Sequence, residues 1–279
     1  MTQLIVSLSS IPPRFGLIAP TLHSLLAQNT RADRVLLFIP RSYPRFPDWD
    51  GTLPAVPDGV EICRCDVDYG PATKVLAAVR MFRGQDCRIL FCDDDRIYDR
   101  KLTSRTLRQA ALHPGCCIAE NGYHTERITG VPGQRDLQPR ARRRWRILDV
   151  EFQLRFLWQD LRAGPARRTL REPARRVNWR SGHVDILEGS GGALVQPDFF
   201  DDDAFDIPAE LRSVDDVWLS GMMAKNGVPI WLQANIYEQG FSDAEPHAPL
   251  SLSVNEGVTQ DTANRRAVAY MQHRYGIWP

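Results

Sequence analysis

Apolar and polar residues alternate along the first 120 positions in a pattern that predicts strands separated by helices. Runs of mainly apolar residues predict strands at 4–8, 35–39, 60–67, 88–92 and 116–119. Between them, apolar residues recur at helical spacing over 17–28, 73–82 and 103–112. Strands joined by helices of this length form right-handed β-α-β units. The pattern therefore predicts an α/β fold with a mostly parallel central sheet and helices on both faces.

The pattern weakens between 122 and 180 and becomes regular again in the last third of the chain. There it predicts strands within 188–196 and at 229–232, and helices at 214–225 and 262–275. We interpret residues 1–279 as one domain whose two regular parts, 1–121 and 181–279, share one sheet. The segment 122–180 is then an insertion between them.

Charge separates this insertion from the rest of the chain. The formal net charge is only +1, from 35 basic and 34 acidic residues, which disfavours a nucleic-acid binder that depends on bulk electrostatics. Thirteen arginines but only four acidic residues lie between Arg140 and Arg180, so this segment carries +9 and the remainder −8. It could bind an anionic acceptor, or lie on an anionic membrane with Trp145, Trp158 and Phe156 at the interface. An acidic partner within the chain, or simple solvation, would explain the arginines equally.

Other sequence features bear on the compartment. No apolar run approaches the roughly 20 residues that span a bilayer, and no leader-like pattern opens the chain. Six cysteines lack the C-x-x-C pairs typical of zinc sites, so we expect reduced thiols. We therefore expect a cytoplasmic protein, with 140–180 as the candidate for peripheral contact with the inner face of the membrane.

Three carboxylates, Asp93, Asp94 and Asp95, directly follow the predicted strand at 88–92. In open α/β sheets, ligands bind at the carboxyl ends of the strands. Clustered carboxylates repel one another, which raises their pKa values unless a cation neutralises them. Oxygen ligands at this density suit Mg²⁺ or Mn²⁺, which can bridge the phosphates of a nucleotide. The alternative is a solvated acidic turn that caps the next helix.

The segment from Asp68 to Lys74 joins a predicted strand to a predicted helix. Gly70 and Pro71 fit a turn, and the helix N-terminus that follows can receive a phosphate. Lys74 would add a point charge there. Taken alone, a turn with a surface lysine explains the segment as well.

The second regular part contains a glycine-rich segment and an acidic pair. Gly189-Ser190-Gly191-Gly192 allows close approach of the backbone to a ligand, but it lacks the spacing of a dinucleotide or phosphate-binding loop. Asp215 and Asp216 open a predicted helix, where acidic residues stabilise the N-terminus by about 1 kcal/mol. A carboxylate at this place could also act as a general base.

Taken together, these motifs resemble the nucleotide-sugar-dependent glycosyltransferases of the GT-A fold, most closely the bacterial family-2 type. The resemblance covers most of the chain except 122–180. The residues that carry it are Ser7, Ser9, Arg14, Lys74, the Asp93-Asp94-Asp95 run as a DxD motif, the small-residue strand 189–193, and the acidic pair Asp215-Asp216. It implies a Rossmann-like GT-A sandwich. It also implies metal-dependent transfer from a nucleotide-sugar, a UDP-sugar above all, to a hydroxyl of a glycan or lipid-linked acceptor in bacterial cell-surface polysaccharide synthesis.

The resemblance also implies roles for individual residues. Mn²⁺ or Mg²⁺ would be held by Asp95, Asp93 and His247, with His273 as the second choice of histidine. The nucleotide-sugar would contact Ser7, Ser9, Arg14, Lys74, Asp93 and Asp94. Asp216 would be the catalytic base, with Asp215 as the other candidate. The acceptor would lie beside Gly191, Gly192 and Trp218.

Two other classes of protein remain open from the sequence. Phosphohydrolases of the haloacid-dehalogenase type also place an Asp-x-Asp motif after a buried strand. Their motif normally follows the first strand, whereas here three predicted strands precede the strand that it follows. The third class is a non-catalytic module that binds carbohydrate or a cation.

Overall fold

Strands and helices alternate through the computed structural model, which describes residues 2–131, 137–163, 172–247 and 259–278. The strands in these residues are β1 (Gln3–Ser9), β2 (Arg34–Pro40), β3 (Val60–Cys65), β4 (Cys87–Phe91), β5 (Arg96–Ile97), β6 (Cys117–Ala119), β7 (Gly122–Tyr123), β8 (Arg142–Arg143), β9 (Asn178–Arg180), β10 (Gly182–Val184), β11 (Ile186–Leu187), β12 (Ala193–Val195), β13 (Ile230–Leu232) and β14 (Gly240–Phe241). The α-helices are α1 (Ala19–Leu26), α2 (Thr73–Met81), α3 (Leu102–Leu112), α4 (Glu126–Thr129), α5 (Val150–Ala163), α6 (Asp215–Lys225) and α7 (Gln260–Tyr275).

Eight of these strands form the central sheet, in the order β10-β13-β6-β12-β4-β1-β2-β3. Six of the eight run in one direction, and β12 and β10 are antiparallel to their neighbours. The α/β class and the mostly parallel sheet predicted from the sequence are confirmed. Strands from both sides of the insertion at 122–180 share this sheet, as the pattern predicted.

Helices cover both faces of the sheet, because successive side chains of a strand point to opposite sides. On β1, Val6 and Leu8 pack in a cluster that includes residues of α1 and α3. Ile5, between them, packs in the other cluster, which includes residues of α2, α6 and α7. Burying a side chain such as Ile5 completely stabilises the fold by about 2 kcal/mol, so this alternation fixes the register of the strand.

The glycine-rich segment differs from its prediction. The strand expected at 189–193 begins only at Ala193, and Gly189–Gly191 forms a single 3₁₀ turn. Gly192 has a φ of 85°, a left-handed conformation that a strand does not use and that glycine adopts without strain. A turn, rather than a strand, therefore faces α6.

Helix α5 is the longest element among the described residues of the insertion. Residues 164–171 of the basic segment lie outside the described part of the chain. Strands β8 and β9 pair with each other, and Arg140 forms an isolated bridge to His183 of β10. Among the helices described, none combines the length and the apolar character needed to cross a bilayer.

Candidate active site

A cleft of about 370 Å³ opens where β1, β2 and β4 end at their carboxyl sides. A volume of this size is typical of small-molecule sites, and this edge of a parallel sheet is where such sites occur. Eight residues predicted from the sequence line the cleft: Ser9, Arg14, Lys74, Asp93, Asp94, Asp95, Asp215 and Asp216. Two halves of the chain therefore meet in one cavity.

Lys74 lies at the centre of the acidic residues. It is the second residue of α2 and is only 6% exposed, which excludes the alternative of a surface lysine. Its Nζ atom is 2.6 Å from Oδ1 of Asp93 and 2.9 Å from Oδ2 of Asp215. Burial alone would lower the pKa of Lys74, but Asp215 and Asp93 together raise that pKa well above its ordinary value. Lys74 is therefore a permanent buried cation that holds two carboxylates together.

The acidic pair opens α6, but neither carboxylate caps the helix. The N-cap residue is Val214, and no side chain caps this end. Oδ1 of Asp216 instead accepts a hydrogen bond from the backbone N–H of Gly189, at 3.0 Å. Burial, followed by the charge of Asp215, raises the pKa of Asp216 well above its usual range. Because Lys74 pairs with Asp215, Asp216 is the member of the pair better suited to take up a proton.

Asp94 holds Arg14 in place at the floor of the cleft. It is buried, with Oδ1 2.6 Å from Nη1 of Arg14 and Oδ2 accepting a hydrogen bond from Oγ of Ser10 at 2.5 Å. Thr21 donates a further hydrogen bond to the backbone carbonyl of Asp94, at 2.9 Å. The alternative of a solvated acidic turn does not fit these contacts. Oδ1 of Asp94 therefore orients the Arg14 guanidinium, while Oδ2 is held by Ser10.

Asp95 has the carboxylate that best fits a metal ion. Its Oδ1 is buried and accepts no hydrogen bond, although Nε of Arg96 lies 3.4 Å away. Burial, then the charges of Asp93 and Asp94, raises the pKa of Asp95 to about 6. An oxygen in this state is suited to a cation. Mg²⁺ often takes one or two protein carboxylates and completes its shell with phosphates and water.

The backbone of His247, the histidine predicted as a third metal ligand, contacts Arg14 beside Asp95. Nε of Arg14 donates to the backbone carbonyl of His247 at 2.8 Å, and the same guanidinium is 3.3 Å from Asp95. The His247 side chain itself is exposed. Within the described ranges no three His, Cys, Asp or Glu side chains are grouped so that they could hold a metal. The assignment of Asp95, Asp93 and His247 as metal ligands therefore stays a prediction.

Two predicted site residues point away from the cleft. Ser7 is fully buried on β1, and its Oγ donates to the backbone carbonyl of Lys74 at 2.5 Å, so it positions the backbone of that lysine. Trp218 is buried in the core, where its Nε1 donates to the carbonyl of Ala204 at 2.9 Å. Trp218 follows Asp216 by two residues, which places it about 200° further around the helix.

The glycines predicted to face an acceptor serve the turn instead. A Cβ atom on Gly191 would lie 3.1 Å from the backbone nitrogen of Asn121, and one on Gly192 would contact Leu102. The glycine that faces the site is Gly189, where a Cβ atom would lie 2.9 Å from Nζ of Lys74. The motif therefore reaches the site through Gly189 and through Ser190, which lines the cleft.

Sequence reasoning missed one wall of the cleft, formed by the loop after β2. Tyr43, Arg45 and Phe46 line this wall, and the hydroxyl of Tyr43 donates to the carbonyl of Ser10 at 2.7 Å. Arg45 lies over the Phe46 ring, 5.4 Å from its centre. The signal was present, since two aromatic residues and an arginine follow the carboxyl end of a predicted strand. Asp68, at the opposite loop, also lines the cleft.

Comparisons with known proteins give structural neighbours only. No protein-family model and no curated protein matches the chain. It is similar to residues 1–349 of S. aureus TarS, with 10% identity over 99% of this chain and 72% of that one, at a TM-score of 0.45. For the complex of that fragment with UDP-GlcNAc, the identity is 13% over 86% of this chain and 58% of that one, at a TM-score of 0.46. Against a structure of S. aureus TarS without that truncation, this chain spans 44% of the other at 11% identity and a TM-score of 0.45. Activity, substrates and partners of the present protein are therefore inferred from its own cleft.

Proposed function

We propose that the protein is a glycosyltransferase that moves a sugar from a nucleotide-sugar, with a UDP-sugar as the expected donor, to a hydroxyl group of an acceptor. The observation that carries this proposal is the buried ion-pair cluster of Lys74 with Asp93 and Asp215. It joins the carboxylates after β4 to the acidic pair of α6 in one cleft. Sugar transfer needs cations beside a leaving diphosphate and a base beside a hydroxyl, and the cationic and carboxylate side chains that line this cleft suit both needs.

The donor would lie along the carboxyl ends of β1, β2 and β4. Arg14 lies in this part of the cleft, held by Asp94, and Tyr43 and Phe46 form an aromatic wall close by. Aromatic faces bind bases by stacking, at about 1–3 kcal/mol per base, and a fixed guanidinium binds phosphate oxygens. A nucleoside diphosphate therefore matches the wall and the cation together.

A divalent metal belongs to the same proposal. Mn²⁺ or Mg²⁺ would be held by Asp95 and Asp93, and when bound it would neutralise negative charge on the leaving diphosphate. The buried Oδ1 of Asp95, which accepts no hydrogen bond, supports this assignment. His247 stays a predicted third ligand, since its backbone contacts Arg14 beside Asp95.

Asp216 would act as the general base. As the acceptor oxygen attacks the anomeric carbon, its proton passes to the Asp216 carboxylate. The bond between that carbon and the diphosphate oxygen breaks, and its electron pair stays on the oxygen of the departing nucleoside diphosphate. The raised pKa of Asp216 supports this role, because a carboxylate with a higher pKa accepts a proton more readily. The N–H of Gly189 holds one carboxylate oxygen and so fixes the orientation of the other.

The acceptor would be a glycan or a lipid-linked glycan of a bacterial cell-surface polysaccharide. The phosphohydrolase alternative fits less well, because β1 ends at Ser9 and is followed by Ser10 at the cleft, where that chemistry needs an aspartate nucleophile. The alternative of a non-catalytic module that binds carbohydrate also fits less well, because it would leave Arg14 and the aromatic wall of Tyr43 and Phe46 without a role.

A thermal-shift screen of nucleotides and nucleotide-sugars, with and without Mn²⁺, tests the proposal. A ligand at 100 times its Kd stabilises the folded state by about 2.7 kcal/mol, so binding should raise Tm by several degrees. We expect UDP and UDP-sugars to raise Tm and Asp95→Asn to remove the metal-dependent part of the shift. Turnover of a simple phosphomonoester, or the same metal-dependent shift in the Asp95→Asn protein, would contradict the assignment.

A further inference from the structure

Helix α5 exposes an apolar stripe on the side that faces away from the protein. Of the 17 large apolar side chains that are exposed in the described residues, eight lie between Trp145 and Leu161. Five of the eight follow one another at helical spacing and form what we call the α5 stripe: Val150, Leu154, Leu157, Trp158 and Leu161. Each is more than half exposed, and Leu161 reaches 77%. Such a concentration of exposed apolar surface marks a contact site.

The inward side of α5 already has its partners. Phe152 is buried, and its ring lies 5.9 Å from that of Phe156. The guanidinium groups of Arg146 and Arg175 lie over the Phe152 ring, at 5.0 and 5.6 Å. Phe152 and Phe156 lie on the side of the helix opposite the α5 stripe. The stripe therefore contributes little to holding α5 in place.

The surface beside the stripe is basic. The segment 140–180 has a formal charge of +9, and one of its four acidic residues, Asp149, is buried beside Arg144 and Arg175 at 3.6 and 3.7 Å. Arg142 and Arg180 are exposed on the pair formed by β8 and β9. Arg162 lies over the Trp158 ring, 4.3 Å from its centre. A cation held at the level of an exposed indole is the arrangement that interfacial helices use.

We propose that the α5 stripe, with Trp145, Ile147 and Leu148 before it, binds the surface of a bilayer that contains anionic lipids. The apolar face would enter the boundary between headgroups and acyl chains, and the arginines would meet lipid phosphates. A helix of 14 residues is about 21 Å long, too short to cross a hydrocarbon core of about 30 Å, so it would lie flat. A soluble acidic partner would satisfy the arginines but would leave the apolar stripe in water.

This surface is connected to the cleft through a short stretch of chain. Tyr237 donates a hydrogen bond from its hydroxyl to Glu151 of α5. Five residues further on, the N–H of Ser242 donates to the carbonyl of Asp95 at 2.9 Å. A lipid-linked acceptor would thus be presented near the cleft; this last step rests on the proposed function, whereas the membrane contact does not.

Vesicle sedimentation tests the contact directly. The full-length protein is mixed with vesicles of phosphatidylcholine alone or with 30% phosphatidylglycerol added. We expect binding only to the anionic vesicles, weakened by salt. Leu157→Glu should reduce the affinity at least tenfold, whereas Leu112→Glu on α3, outside the α5 stripe, should leave it unchanged. Leu112 is a matched control because the two leucines are similarly exposed, Leu157 at 54% and Leu112 at 64%. Arg162→Gln should reduce the affinity about fivefold.

Fluorescence gives a second, geometric readout. Lipids with brominated acyl chains should quench part of the tryptophan emission of the bound protein. Substituting both Trp145 and Trp158 by Phe should remove the quenched part, while Trp49→Phe should not. Quenching that persists in the double variant would overturn the assigned surface.

Three other outcomes would also overturn the proposal. Equal binding of Leu157→Glu and the wild type would mean that the stripe is not the contact. A dimer that forms with increasing concentration and is lost in Leu157→Glu would make the stripe a self-association surface. A Tm lowered by Leu157→Glu well beyond the effect of Leu112→Glu would mean that the chain itself covers the stripe. A UDP-dependent Tm shift, measured in parallel on Leu157→Glu, separates any of these from a failure of the proposed function.

Discussion

Lys74 of α2 and Asp215 of α6 form a buried ion pair, with 2.9 Å between Nζ and Oδ2. Their side chains are 8% and 10% exposed, so neither charge is well solvated by water. The same ammonium group is 2.6 Å from Asp93 after β4. Because burying a charge without a partner is costly, this contact determines how closely the two halves of the cleft approach.

Replacing the lysine should therefore destabilise the fold as well as the site. In Lys74→Met, Asp93 and Asp215 lose their shared cation, and we expect a loss of about 3–5 kcal/mol in the free energy of unfolding. Urea unfolding of this variant beside Lys101→Met, whose lysine is exposed, measures the difference. Lys74→Met combined with Asp215→Asn should recover part of the loss, since it removes one of the uncompensated charges. Equal stability of the two single variants would contradict the role of Lys74.

The two members of the acidic pair should differ in what they do. Asp216→Asn removes the proposed base, and we expect kcat for sugar transfer to fall about 10²–10⁴-fold while UDP binding persists. Asp215→Asn leaves Lys74 with one partner fewer, so it should lower stability in addition to activity. The measurement is product formation at saturating donor, together with Tm. Glu210→Gln, exposed just before α6, is the matched control and should behave as the wild type.

The sequence predicted the sheet and the carboxylate edge because both depend on local patterns. Alternation of apolar residues positioned β1, β2 and β4, and acidic residues directly after β4 could only emerge at the carboxyl edge. The helical phase of α6 likewise separates Trp218 from Asp216.

Other features depend on tertiary contacts that no local pattern contains. Ser9 lines the cleft while Ser7, on the same face of β1, lies beneath α2, because the helix covers only part of the strand. The left-handed φ of Gly192 decides where β12 begins, and a run of small residues does not reveal it. Tyr43 lies in a loop without periodicity, so only the fold shows that it borders the cleft.

Glu120 predicts a pH dependence of stability that is independent of catalysis. It is buried after β6, and burial raises its pKa from 4.5 to about 7 despite two hydrogen bonds from Arg105. A carboxyl with a raised pKa in the folded state holds its proton more tightly there than in the unfolded chain. Stability is therefore highest below about pH 4.5 for this group and falls as pH rises towards 7, by up to about 3 kcal/mol.

Comparison with Glu120→Gln isolates this contribution. The free energy of unfolding of the wild type, minus that of the variant, should decrease between pH 5 and pH 7.5 and become constant above. Asp86→Asn, at an exposed position beside β4, serves as the control for general charge effects. A difference that does not change with pH would mean that Glu120 titrates normally.

Gly189 should tolerate no side chain without loss of activity. A Cβ atom at this position would lie 2.9 Å from Nζ of Lys74 and 3.0 Å from Oδ1 of Asp216. The end of the lysine can move, so Gly189→Ala should cost little stability, yet both charged groups would shift from their positions in the cleft. Displacements of this kind reduce turnover by up to about 10²-fold.

The test compares Gly189→Ala with Gly16→Ala, where a Cβ atom would meet nothing within 4 Å. We expect both variants to unfold within a few degrees of the wild type, and only Gly189→Ala to lose sugar transfer. The N–H of Gly189 still donates to Asp216 in an alanine variant, so a large loss of turnover would have to come from the displaced side chains rather than from a lost hydrogen bond. Full activity of Gly189→Ala would mean that the close approach of Lys74 and Asp216 at this glycine is not needed for transfer.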